Sequence, residues 1–74
     1  MSKLPVLTGD KLVAALAKAG FELIRQRGSH VYLKHPDGRS TVVPVHKGQT
    51  IGRGLLGSIL RDVEINREDL LNLL

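Results

Sequence analysis

Phe21 to His46 reads FELIRQRGSHVYLKHPDGRSTVVPVH, and the fold is decided by where this stretch turns back on itself. Gly28-Ser29 places glycine first, which suits the positive-φ position of a type II′ hairpin turn. Pro36-Asp37-Gly38 places proline at the first central position of a type I turn and glycine at a left-handed bulge after it. Three short strands follow from these turns: Phe21 to Arg27, His30 to His35, and Ser40 to His46. The last is β-branched at Thr41, Val42, Val43 and Val45, as strands favour. Pro44 fits there only at an edge or a bulge, where its missing N–H does no harm.

Working outward, Thr8 and Asp10 are N-cap types ahead of Leu12, Val13, Leu16 and Ala19, whose spacing makes one apolar helical stripe. Gly20 supplies the left-handed stop. Before this helix, Met1 to Leu7 reads as an arm with Pro5, anchored by Val6 and Leu7. After the strands, Lys47 to Gly54 (KGQTIGRG) reads as a polar loop. Leu55, Leu56, Ile59 and Leu60 mark a second helix. Asn66 is placed to cap a short last helix carrying Leu70, Leu71, Leu73 and Leu74. The order α-β-β-β-α, plus a short C-terminal helix, predicts an α+β domain: a three-stranded antiparallel sheet with helices packed on one face.

A chain of 74 residues makes one domain, residues 1–74, and a chain that short buries only about 60% of its unfolded surface. It has no cysteine, which excludes thiol catalysis, Cys-based zinc sites and disulfide support. The start lacks the apolar run of a signal peptide, and no stretch approaches the ~18 apolar residues of a membrane span. A cytoplasmic protein is the expectation. Arg25 to Arg53 holds Arg25, Arg27, Lys34, Arg39, Lys47 and Arg53 against Asp37 alone, a balance of +5, while the rest of the chain sums to −1. All three histidines, His30, His35 and His46, lie in that basic third. Such concentration favours a polyanionic partner, nucleic acid above all, over an ordinary solvated surface.

Register decides which side chains cooperate. With a three-residue Pro36-Asp37-Gly38 loop, His35 falls opposite Arg39 and His30 opposite Pro44. Side chains alternate with period two, so His30, Tyr32, Lys34, Val42 and His46 then share one face, joined by Arg25 and Arg27. Ile24, Val31, Leu33, Thr41, Val43 and Val45 take the face under the helices; this register leaves Phe21 and Leu23 exposed. A two-residue Asp37-Gly38 turn would instead send His46 to the face away from His30.

His30 is the candidate catalytic residue. It follows the tight Gly28-Ser29 turn, where backbone can approach a ligand, and cations beside it can hold phosphate. Its neutral imidazole could take the proton of a ribose 2′-OH, and general base help of this kind contributes about 10²–10⁴-fold. Arg25, Arg27, Gly28, Ser29, Lys34, His46, Lys47 and Arg53 are the candidate RNA contacts. In a strand, His30 and His35 point to opposite faces with no acidic cluster nearby, so no metal site is indicated. Ser29 and His30 are sequence neighbours pointing apart, which argues against a nucleophilic pair. The loop GQTIGRG matches no phosphate-binding fingerprint. One Tyr, one Phe and no Trp are too few for a base-stacking platform, which leaves binding through backbone and shape.

The run LTGDKLVAALAKAGFELIRQRGSHVYLKHPDGR, with TVVPVH and GLLGSILRDVEI after it, closely resembles the HicA (YcfA-like) toxins of type II toxin–antitoxin modules over nearly the whole chain. The resemblance implies a double-stranded-RNA-binding-domain-like fold and an mRNA interferase that cleaves transcripts and arrests growth. It implies a HicB-like antitoxin that covers the active site, and neither metal nor cofactor. The family's catalytic histidine sits in the GSH motif, here His30; the roles given to Arg25, Arg27, Lys34 and His46 come from register and charge instead. One departure is Gly54-Leu55-Leu56-Gly57, where the family usually has G-T-L followed by a basic residue. This removes a possible N-cap hydroxyl and a possible phosphate contact, and so bears on how active this copy is. Two functions are therefore carried forward: a metal-independent endoribonuclease toxin, and a non-catalytic RNA-binding or antitoxin-binding module on the same fold.

Overall fold

The computed structural model describes residues 4–74, so the first three residues of the expected arm fall outside it. Helix α1 spans Gly9–Lys18, with Thr8 as N-cap: its hydroxyl accepts the Lys11 N–H at 3.3 Å. The helix ends as the glycine predicted. Gly20 has φ 100°, its N–H donates to the Ala17 carbonyl, and the Phe21 N–H donates to that of Leu16. This is the Schellman pattern, and Phe21 and Leu16 both lie in the buried core. Phe21 therefore belongs to the helix stop and the core, at 3% exposure, and is neither exposed nor part of the first strand.

The strands are β1 Glu22–Arg27, β2 His30–Lys34 and β3 Ser40–Pro44, antiparallel and in that spatial order. Both turns match their sequence signals. Gly28 has φ 57° while Ser29 is not positive, as type II′ requires. His35 and Arg39 bond across the loop, Gly38 N–H donates to His35 C=O, and Gly38 has φ 102°. The three-residue loop with its bulge is thus the one adopted, and His30 pairs with Pro44. Bonds from Val45 N–H to Ser29 C=O and from His35 N–H to Arg39 C=O make the odd-numbered β2 positions the bonded ones. Pro44 hence faces His30 across a non-bonded pair, its ring nitrogen turned away from β2.

Two expectations are corrected. A bulge between Leu23 and Arg25 shifts the start of β1 by one residue, so Leu23 pairs with Leu33 yet is exposed as expected, while Ile24 is 58% exposed and not under the helices. The third strand also ends at Pro44, two residues short of His46.

Val31, Leu33, Thr41 and Val43 are buried and Val45 is half-buried, as the face assignment predicts. Helices α1 and α2 (Arg53–Val63) both pack against β3, whereas all six β1 residues are exposed. Leu56, Ile59, Leu60 and Val63 form the buried stripe of α2, leaving Leu55 at 43% exposure rather than in the core. Helix α3, Arg67–Leu73, is capped by Asn66, whose side chain accepts the Asp69 N–H at 2.8 Å. Of its leucines, Leu70 is fully buried and Leu73 packs on the core, while Leu71 and Leu74 are exposed. Among the described residues of the arm, Leu7 is buried and Leu4 packs on the core, while Val6 is 79% exposed. Leu7 accepts the Ile51 N–H, and Thr8 bridges to Thr50, which ties the 47–54 loop to the start of α1.

Candidate nucleic-acid interface

The open face of the sheet is built from three rows of paired residues. Arg27, His30 and Pro44 form the first row, Arg25, Tyr32 and Val42 the second, and Glu22, Lys34 and Ser40 the third. His30 opens β2 and is exposed, next to the turn. The Gln26 side-chain amide donates to the Gly28 carbonyl at 3.1 Å, which braces that turn from β1. Ser29 is half-buried, and its carbonyl takes the Val45 N–H.

In the second row the Arg25 guanidinium lies 4.7 Å over the Tyr32 ring. Lys34 stands at the far end of β2, about 14 Å from His30 at about 3.4 Å per residue. Glu22 faces it across the strand pair, so the third row carries no net charge. Sequence reading missed Glu22 here, because without the bulge its side chain would take the other face.

Arg25, Arg27, Gly28, Ser29 and His30 are therefore gathered in one hairpin. His46 and Lys47 follow Val45 beside that hairpin's turn, in a second turn closed by Gln49 N–H to His46 C=O with Gly48 at φ 76°. Strand alternation does not extend to His46, since β3 has ended. Arg53 opens α2 and lines a shallow groove with Leu4, Val6 and Ile51; it belongs with the arm rather than with the hairpin.

His35 and Arg39 have other work. The His35 ring meets Phe21 edge-on at 5.1 Å between centroids, and its Nδ1 accepts the Asp37 N–H. Arg39 lies over the other side of this cluster, 5.1 Å from the Phe21 ring centroid, and donates to Asp37 and to the Val63 carbonyl at the end of α2. The Arg39 N–H, donating to Asp37, holds that carboxyl below its usual value, and the Arg39 guanidinium adds to this. HPDGR is thus a knot joining the β2–β3 turn to both helix ends. Among the described residues no cluster of His, Cys, Asp or Glu could hold a metal, and no helix is long and apolar enough to cross a membrane.

The model of a family described as HicA toxin of bacterial toxin–antitoxin matches residues 9–65, a span that runs from the first residue of α1 to just past α2. No curated protein matches the chain.

Proposed function

Since the chain belongs to the HicA toxin family, we propose that it is the toxin of a toxin–antitoxin module and acts as an mRNA endoribonuclease with His30 as general base. The observation that carries this reading is the placement of His30 on an exposed row with Arg27, beside a glycine turn that admits close approach. The imidazole of His30 takes the proton of a ribose 2′-OH. The freed oxygen attacks the adjacent phosphorus, the bond to the 5′-oxygen breaks, and that oxygen takes up a proton. One product ends in a 2′,3′-cyclic phosphate and the other in a 5′-hydroxyl.

Arg27, in the row of His30, counters the charge that builds on the phosphate oxygens, while Arg25 in the next row contacts the RNA backbone. Gly28 and Ser29 form the glycine turn, His46 and Lys47 lie beside it, and Arg53 and Lys34 stand farther out, Lys34 with Glu22 opposite it. Neither metal nor cofactor enters the step. The partner is a HicB-like antitoxin lying over His30, and the setting is the cytoplasm, where mRNA is found.

The test is purified protein with single-stranded RNA and EDTA, wild type beside His30→Ala. Cleavage by wild type with cyclic phosphate ends, and a loss of about 10²–10⁴-fold in the variant, is expected. Equal cutting by two folded proteins would end the assignment.

A second reading, a non-catalytic RNA-binding or antitoxin-binding module, has its own support at the start of α2. Gly52 caps that helix without a side-chain hydrogen bond, and Leu55 offers no hydroxyl. RNA binding without scission by wild type would favour it.

A further inference from the structure

Only the first two rows of the open face carry uncompensated charge, and they differ in how the charge is held. Among the described residues, the ion pair between side chains is that of Arg39 with Asp37 in the 35–39 turn, so no carboxylate is bonded to Arg25. Its guanidinium instead rests on the Tyr32 ring at 4.7 Å. Stacking restrains a long side chain that would otherwise lose entropy on binding, and it leaves the guanidinium edge free to donate to two oxygens at once. Alternate positions of one strand lie about 6.8 Å apart, so this edge stands one row from His30, on the scale of a single nucleotide of extended chain. The neutral Glu22–Lys34 row bounds it on the other side.

We propose that Arg25, held by Tyr32, is a subsite for a phosphate flanking the one that is cut, in single-stranded RNA, with Tyr32 as its positioning residue. This rests on the ribonuclease reading of His30. Tyr32 acts through its ring alone: the contact is with the face, and the hydroxyl plays no part in it.

The experiment uses DNA strands with one ribose, which fixes the cut, and a neutral methylphosphonate at the flanking position on either side. In wild type, neutralising one of the two flanks should lower kcat/KM about tenfold, the size of one lost charge-assisted contact. Arg25→Ala should show the same loss on the unmodified strand and no further loss on the methylphosphonate. Tyr32→Phe should stay within twofold of wild type. Tyr32→Leu should lose roughly 2- to 5-fold, as expected for an exposed cation–π contact, in KM rather than kcat. Circular dichroism checks that each variant is folded.

Binding of all-deoxy strands, with and without the methylphosphonate, reads the subsite separately from cleavage. If wild type binds with this pattern yet cuts nothing, the subsite stands and the ribonuclease reading falls. If Arg25→Ala stays as sensitive as wild type to neutralisation at both flanks, or Tyr32→Leu matches wild type, the subsite is overturned.

Discussion

Gly9 lies directly against Pro44: a Cβ on Gly9 would run into the Pro44 carbonyl oxygen and stand 2.9 Å from the Val45 Cα. The first turn of α1 thus presses on the end of β3 with backbone against backbone, and Pro44 is the partner of His30. Neither side can yield as a flexible side chain would. Gly9→Ala should therefore destabilise the domain by about 1–3 kcal/mol, the usual cost of overpacking, or roughly 4–8 °C of Tm per kcal/mol. Thermal unfolding followed by circular dichroism measures it. An unchanged Tm would mean the helix and strand separate freely, which the contact denies.

Asp37 gives stability a pH dependence of known sign. Its carboxyl is lowered from 3.8, first by the Arg39 N–H, then by the Arg39 guanidinium, with His35 adding least. A group depressed in the folded state contributes stability that is present above its unfolded value and lost as pH falls through the folded one. The Tm advantage of wild type over Asp37→Asn should thus be steady above about pH 5 and shrink below pH 3.8. The pair is exposed, so salt should reduce the advantage as well. An advantage that grows on acidification would contradict the assignment.

How much of this could be read beforehand differs from element to element. Gly28-Ser29 and Pro36-Asp37-Gly38 carry their φ requirements in their own residues, so both turns, and with them the pairing of His30 with Arg27 and Pro44, were legible. The bulge before Arg25 was not. Phe21 is fixed inward by the helix stop and Arg25 outward by the hairpin, and one extra residue reconciles the two; that conflict exists only once α1 is docked. The end of β3 was hidden for a similar reason, since it meets the first turn of α1 and then turns at Gly48. The position of His30 just after the turn was legible from Gly28-Ser29, whereas the stacking of Arg25 on Tyr32 depends on a cross-strand geometry that no local pattern encodes.

Gly57 lies inside α2, and a Cβ there would meet only the Arg61 guanidinium, at 3.7 Å, an ordinary contact. Its φ is not positive. Gly57→Ala should accordingly stabilise the protein by about 1 kcal/mol, the helical difference between the two residues. A rise of roughly 4–8 °C in Tm is expected. No rise, or a fall, would show that the site needs glycine for a reason other than space.

Glu22 sets the limit of the basic face, because it neutralises Lys34 in the row farthest from His30. Replacing it by glutamine keeps the shape and removes the charge. If RNA lies along this face, Glu22→Gln should tighten RNA binding and steepen its dependence on salt, by close to 0.7 in the log–log slope for one more phosphate contact with a single strand. The gain should require the lysine: Glu22→Gln with Lys34→Ala should return the slope to the wild-type value, while Lys34→Ala alone changes it little. Fluorescence anisotropy across a salt series reads all four proteins. A slope indifferent to Glu22 would place the RNA off the third row and confine its contacts to Arg25, Arg27 and the turn before His30.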